Sequence, residues 1–157
     1  MKTLVFDLEG TLVDSTRWPR QHAGSGQGGA KDASRLFPEA RDVLMTLKRR
    51  GYTLTVASNC SQAYLDELLD QEGLRPLFAY PLCLETVQGR SKADTLAAHI
   101  ARFGRDLVMI GDRPSDIRAA AAHKLPSVGC AFHLSAADLK GATHIIHALP
   151  ELLDLFP

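Results

Sequence analysis

Asp7 and Glu9 stand two residues apart at the end of the apolar run Leu4-Val5-Phe6, and Gly10 and Thr11 follow at once. Carboxylates this close repel each other. They are tolerated where one caps a helix and the other is solvated, or where a cation or phosphoryl chemistry needs both. A similar ending recurs late in the chain, where Leu107-Val108-Met109-Ile110 runs into Gly111-Asp112-Arg113-Pro114-Ser115-Asp116. Between the two, Ser58-Asn59 closes another apolar run and Lys92 stands in the first turn of a predicted helix. A cation there opposes the helix dipole by a few tenths of a kcal/mol to about one, so structure alone would not choose it. A phosphate beside it would offset that cost. Ser58 suits either a helix cap or, with the free amides of a helix start, a phosphate. Asp7, Glu9, Asp112, Asp116 and Lys92 together carry a formal charge of −3. An anionic substrate would be repelled until a hard divalent cation entered. Magnesium is the natural guest, because it takes one or two carboxylates plus water and phosphate oxygens.

The elements that must position these groups alternate in type. After the first strand, residues 15–37 read as a loop with Trp18-Pro19 and the cluster Gly24-Ser25-Gly26-Gln27-Gly28-Gly29. The cluster matches the dinucleotide pattern G-x-G-x-x-G in letters, but Pro19-Arg20-Gln21-His22 precedes it where that motif needs a strand. Ala40, Val43, Leu44 and Leu47 recur at helical spacing, Lys48-Arg49-Arg50 close the last turn and Gly51 stops it. Tyr52 to Ala57 reads as a second strand, and Ser61 caps a helix whose buried face is Leu65, Leu68 and Leu69. Leu77 to Leu84, with Pro81 inside it, reads as an irregular strand near an edge. Ser91-Lys92-Ala93-Asp94 opens a helix with Leu96, Ala97, Ile100 and Phe103 inward, and Ile117, Ala120 and Ala121 form the inner face of the next. Ser127 to Phe132 and His144 to Ile146 complete the strands, and Leu149 to Phe156 is a closing helix. Strands alternating with helices predict an α/β fold built on a doubly wound parallel sheet, whose carboxyl edge gathers every residue of the first paragraph.

The chain of 157 residues is the size of one domain, so residues 1–157 are expected to form a single unit. Eighteen basic against 18 acidic residues leave no footprint for nucleic acid or an anionic membrane, so substrate charge must be met locally. Cys60, Cys83 and Cys130 are too few and too scattered for a disulfide framework or a zinc site, and a reducing cytoplasm is the expected location. No stretch approaches the ~20 apolar residues of a membrane span, and Met1-Lys2-Thr3 leads into a strand without the apolar core of a signal peptide. The six histidines, His22, His99, His123, His133, His144 and His147, pair with no acid and read as surface or structural.

The set of motifs resembles the haloacid dehalogenase superfamily of phosphohydrolases over nearly the whole chain. Asp7-Leu8-Glu9-Gly10-Thr11 is similar to its first motif, Ser58 with Asn59 to the second, Lys92 to the third, and Gly111-Asp112 through Asp116 to the fourth. The wording of Gly111 to Ala120 resembles the phosphoglycolate phosphatase-like branch. The resemblance implies a phosphomonoesterase in which Asp7 is the nucleophile that forms an aspartyl phosphate and Glu9 is the general acid and base. It implies magnesium held by Asp7, the main-chain carbonyl of Glu9 and Asp112, with Asp116 in support. It places the phosphoryl oxygens against Ser58, the amide of Asn59 and Lys92. The implied partner is a phosphorylated small molecule or macromolecule.

Two departures qualify that expectation. Most phosphatases of the family carry Asp where Glu9 stands, although enolase-phosphatase-like members carry Glu; the extra methylene moves the carboxyl by up to ~1.5 Å. A misplacement of about 1 Å can cost on the order of a hundredfold in rate. Relatives of this branch also insert a helical cap after the first motif, whereas residues 15–37 offer 23 residues, too few for a domain. The site is therefore expected to be capless and open, which implies a large substrate that supplies its own lid, a homo-oligomer that covers the cleft, or broad specificity. The alternative is a weak or inactive relative that binds phosphate or a protein partner. A receiver-type signalling domain would need an acceptor Asp where Leu82-Cys83-Leu84-Glu85 stands, and a dehalogenase would not need Lys92, Asp112 and Asp116 together.

Overall fold

In the computed structural model, which describes residues 2–17 and 34–157, strand β1 (Thr3–Phe6) is buried along its whole length. Successive side chains of a strand point to opposite faces, so complete burial requires cover on both. Leu4 and Phe6 accordingly enter one apolar core and Val5 the other. Pairing with β1 on its two sides are β2 (Thr53–Ser58) and β4 (Leu107–Gly111), both parallel, with Phe6 opposite Val56 and Ile110. Adding β3 (Leu82–Cys83), β5 (Ser127–Cys130) and β6 (His144–Ile146), the described residues form one parallel sheet in the order β3-β2-β1-β4-β5-β6. This is the doubly wound sheet expected from the alternating pattern. Its order reverses between β1 and β4, so the connections that leave their carboxyl ends run apart and open a crevice there, the place where such sheets bind ligands.

Helices α1 (Ala40–Arg49) and α2 (Gln62–Gln71) cover the face that holds Leu4 and Phe6. Ala40, Val43, Leu44 and Leu47 form the buried stripe of α1, and Gly51, at φ +96°, provides the left-handed residue that ends it. Ser61 caps α2, its hydroxyl accepting from the amide of Tyr64 at 3.2 Å. A one-turn helix, α3 (Leu84–Val87), leads to α4 (Lys92–Phe103), which with α5 (Pro114–Ala122) covers the opposite face around Val5, Leu107 and Met109. No helix among the described residues is long and apolar enough to cross a membrane.

Several expected details differ. Only Leu82 and Cys83 of the stretch Leu77 to Leu84 form a strand, at the sheet edge, because Arg75–Leu77 close a 3-10 turn and Tyr80 takes φ +59° just before Pro81. The predicted closing helix is a 3-10 turn, Leu149–Glu151, followed by α6 (Leu152–Leu155). The inner face of α4 is Lys92, Thr95, Leu96 and His99, with Ala97 exposed and Ile100 and Phe103 half-buried. Polar partners on the sheet side rotate the helix this way: His99 Nε2 lies 3.3 Å from both Thr55 Oγ1 and the carbonyl of Tyr80. Ser91 makes no side-chain cap, and Asp94 instead accepts from the amide of Arg90 at 2.7 Å. On α5, Ala119 is buried and Ala121 exposed, one position away from the expected face.

The chain on the two sides of residues 18–33 is tied together. Val13 forms an antiparallel bridge with Leu36, the amide of Asp14 donates to the carbonyl of Arg35, and that of Phe37 to Leu12, each at 2.9 Å. Trp18 and the cluster Gly24 to Gly29 lie outside the described residues, as does most of the expected loop.

Burial pushes the His99 imidazole down to about 4, so it is neutral in the folded chain at ordinary pH. The unfolded chain takes up this proton near pH 6.5 and the folded chain only near 4. Stability is therefore lost as pH falls through that window, by at most about 1.4 kcal/mol per pH unit. Urea unfolding of the wild type and His99→Gln between pH 6.5 and 4.5 should show the wild type losing stability relative to the variant; parallel profiles would contradict the assignment.

Candidate active site

Asp7 leaves the end of β1 and Asp112 the end of β4, the two central strands at which the sheet order reverses, and the amide of Asp7 still bonds the carbonyl of Ile110 at 2.9 Å. Asp116 enters one turn further along, in the first turn of α5, where its Oδ2 accepts from the amide of Arg113 at 3.1 Å. Carboxylate oxygens of Asp7, Asp112 and Asp116 lie within 4.8 Å of one another, and all three residues are buried. Lys92, the first residue of α4, joins them: its Nζ donates to Asp7 Oδ1 at 2.7 Å and to Asp116 Oδ1 at 2.5 Å. Removing one partner from a buried ion pair typically costs about 3–5 kcal/mol, because the remaining charge is left in a poor solvent. The position that the helix dipole disfavours is thus occupied because three elements meet there.

The electrostatics of the cluster are unbalanced. Burial raises the Asp7 carboxyl above the ordinary range; the Lys92 ammonium pulls it down and Asp112 pushes it up again. Burial likewise raises Asp112, and it brings Asp116, with Asp7 beside it, up to about 6. On Lys92, burial works against the charge but the Asp7 and Asp116 carboxylates outweigh it, so the ammonium is retained. Three buried carboxylates with one ammonium between them thus hold protons more tightly than they would in water. A divalent cation would relieve the same repulsion without a proton. The donor set is all oxygen, clustered and anionic, and fits magnesium rather than a softer ion.

Thr11 orders the turn that carries the first acid pair. Its hydroxyl donates to Asp112 Oδ1 at 3.2 Å, and the amides of Leu12 and Val13 close on the carbonyl of Leu8 at 3.0 and 2.9 Å. Gly10 inside this turn has φ +84°, and a Cβ built there would lie 2.2 Å from Asp112 Oδ2. Only glycine leaves both the backbone and the carboxylate in place.

A cavity of about 300 Å³ opens beside the cluster, lined on its floor by Asp7, Glu9, Lys92 and Asp116 and on one wall by Ser58 and Asn59. The residues singled out from the sequence therefore converge. Ser58 ends β2, is buried, and accepts from the amide of Cys60 at 3.2 Å; Asn59 beside it is exposed. The group of mutually close carboxylates is formed by Asp7, Asp112 and Asp116, and the Glu9 carboxyl makes a contact with α2. Its Oε1 accepts a hydrogen bond from the hydroxyl of Tyr64 on α2. Arg113 and Ser115, which stand inside the fourth motif without an assigned role, also line the cavity, as does Tyr64, which lies outside every motif. Tyr64 was hidden because it sits in line with Leu65 and Leu68 on the buried face of α2. Cys60 borders the cavity too, but burial holds its thiol up at about 11, so it is no nucleophile at neutral pH.

Comparison with known proteins identifies the family. A family model of haloacid dehalogenase-like hydrolases matches residues 25–124. The chain is 31% identical over 122 residues to a phosphoglycolate phosphatase of Aliivibrio fischeri, covering 74% of this chain and 52% of that protein. To a phosphoglycolate phosphatase of Neisseria meningitidis it is 33% identical over 131 residues, covering 77% and 56%. The chain thus spans about half the length of the curated relatives it matches. Among solved structures, one described as a predicted phosphoglycolate phosphatase from Haemophilus somnus superposes with a TM-score of 0.84 at 19% identity, covering 100% of this chain and 98% of that one, a likeness of fold.

Gly10→Ala should cost more than backbone strain alone. Gly73 also has positive φ, at +64°, but nothing lies within 4 Å of a Cβ there. Both alanine variants incur the strain of a left-handed residue, about 1–3 kcal/mol, and Gly10→Ala must in addition displace Asp112. Chemical denaturation should rank Gly10→Ala clearly below Gly73→Ala; equal losses would mean that Asp112 does not abut the turn.

Proposed function

The chain belongs to the haloacid dehalogenase-like hydrolases, and from that membership we propose that it is a magnesium-dependent phosphomonoester hydrolase working through an aspartyl phosphate on Asp7. The observation that carries this reading is the buried meeting of Asp7, Asp112 and Asp116, two of them bonded to Lys92, beside a cavity that Ser58 and Asn59 also line.

Asp7, Asp112 and Asp116, with the main-chain carbonyl of Glu9, would hold the cation. When bound, magnesium supplies charge neutralisation for the carboxylates and for the phosphoryl oxygens. Lys92 opposes the rise that burial imposes on the Asp7 carboxyl, and so favours the ionised form that an attacking carboxylate requires. An oxygen of Asp7 attacks phosphorus in line, the bond from phosphorus to the leaving oxygen breaks, and Glu9 gives its proton to that oxygen. Glu9 then takes a proton from water, whose oxygen attacks the phosphorus of the aspartyl phosphate. The bond to Asp7 breaks, and inorganic phosphate leaves. The hydroxyl of Ser58, the amide of Asn59 and the ammonium of Lys92 stabilise the charge that gathers on the transferring phosphoryl oxygens.

Residues 15–37 are too few to form a cap domain, so the site is read as open, which calls for a large substrate that supplies its own lid, a homo-oligomer that covers the cleft, or broad specificity. The substrate is a phosphorylated small molecule or a phosphorylated macromolecule. Phosphoglycolate, named for the curated relatives, belongs in the panel beside sugar phosphates and an aryl phosphate.

Phosphate release from that panel should require magnesium and fall by at least about a thousandfold in Asp7→Asn, as expected for loss of a nucleophile. Release no greater than that of Asp7→Asn would favour a phosphate-binding domain without turnover. The cation must also compete with a proton on Asp116, which leaves near pH 6. The rise in thermal midpoint on adding magnesium should therefore grow from pH 5 to 7.5, and a rise independent of pH would remove Asp116 from the cation site.

A further inference from the structure

We infer that Tyr64 is the residue that positions the Glu9 carboxyl for proton transfer, and that the tyrosine and the longer acid work as a pair. The inference rests on the acid–base role proposed for Glu9. Tyr64 occupies the third position of α2, with its amide held by the Ser61 cap and its side chain turned into the cavity beside Glu9. The phenol hydroxyl donates to Glu9 Oε1, a contact between two buried side chains 55 positions apart in sequence. The donor and acceptor roles are unambiguous. Burial and the neighbouring Glu9 both hold the phenol in its protonated form, so it donates, and Oε1 accepts whether the acid's own proton sits on its other oxygen or has left.

Glutamate has one more rotatable bond than aspartate, so a carboxyl at its end samples more positions unless something holds it. Proton transfer requires the acid within hydrogen-bond reach of the leaving oxygen, and looseness of about 1 Å is costly. A hydrogen bond from a buried, rigid ring removes that freedom. The ring is itself braced: the Arg35 guanidinium lies 6.0 Å from its centroid and is paired with Glu67 of α2 at 3.0 Å. Glu72, just past α2, accepts from the amide of Arg35 at 2.8 Å and from the hydroxyl of Ser34 at 2.9 Å. The segment that re-enters the fold after residue 33 is thereby fastened to the helix that carries the tyrosine. An aspartate at position 9 would end about 1.5 Å short and lose this contact. Tyr64 and Glu9 therefore explain each other's presence in a way that neither does alone.

The test is a double-mutant cycle in kcat and KM on whichever phosphomonoester the wild type hydrolyses, with thermal midpoints measured alongside. Tyr64→Phe keeps the ring and its packing and removes only the hydroxyl. It should lower kcat by about 10- to 100-fold with KM changed less than about twofold, because the phosphate contacts are elsewhere. Glu9→Asp should lower kcat as well, and adding Tyr64→Phe to it should produce no further loss. A Tyr64→Phe variant with normal kcat, a loss that appears equally in the Glu9→Asp background, or a loss in KM alone would overturn the pairing while leaving the phosphatase reading intact. A folded wild type that is inactive on every phosphomonoester would instead overturn that reading, and the positioning role with it.

Discussion

The Lys92 ammonium, buried between Asp7 and Asp116, is the contact on which the rest of the arrangement depends. Each partner comes from a different element: the end of β1, the first turn of α5 and the first turn of α4. A charge in this position, away from water, is tolerable only while both carboxylates face it. The same requirement, together with the contacts of His99 to Thr55 and Tyr80, sets the rotation of α4. The helix turns Lys92, Thr95 and His99 toward the sheet and leaves Ala97 outside, an orientation that apolar spacing alone would not select. Binding chemistry and packing are thus opposed within one helix, and these polar contacts settle the conflict.

The architecture was legible in the sequence wherever periodicity and chain punctuation agreed. The stripe Ala40, Val43, Leu44 and Leu47, the Ser61 cap, and the run Leu107 to Ile110 each say the same thing at the level of pattern and of burial. The convergence of Asp7, Ser58, Lys92, Asp112 and Asp116 followed from a single rule, that parallel strands deliver their carboxyl-end residues to one edge. What pattern could not reveal were contacts made sideways between elements. Tyr64 looks like one more core residue of α2, and His99 like a surface histidine on an amphipathic helix, until Glu9 and Thr55 are seen opposite them. The two-residue strand β3 was blurred because Pro81 and the left-handed Tyr80 interrupt it.

The turn from Leu8 to Val13 joins the chemistry to the remainder of the fold. It brings Gly10 and Thr11 against Asp112, and through Val13 it binds the segment that returns at Leu36. Where a cap domain would be inserted, the chain leaves and re-enters at neighbouring points beside the nucleophile. The returning segment is secured to α2 by Arg35, Glu67 and Glu72. The braced tyrosine and the longer acid therefore meet at one part of the cavity lining.

The most direct measurement of the central claim is chemical trapping of the covalent intermediate. The chain is allowed to turn over a phosphomonoester with magnesium, quenched with borohydride, digested, and mapped by mass spectrometry. An acyl phosphate is reduced to an alcohol, so the account predicts homoserine at position 7 in place of Asp7 and no change at Asp112 or Asp116. Phosphate release without reduction at Asp7, or reduction at another acid, would contradict it.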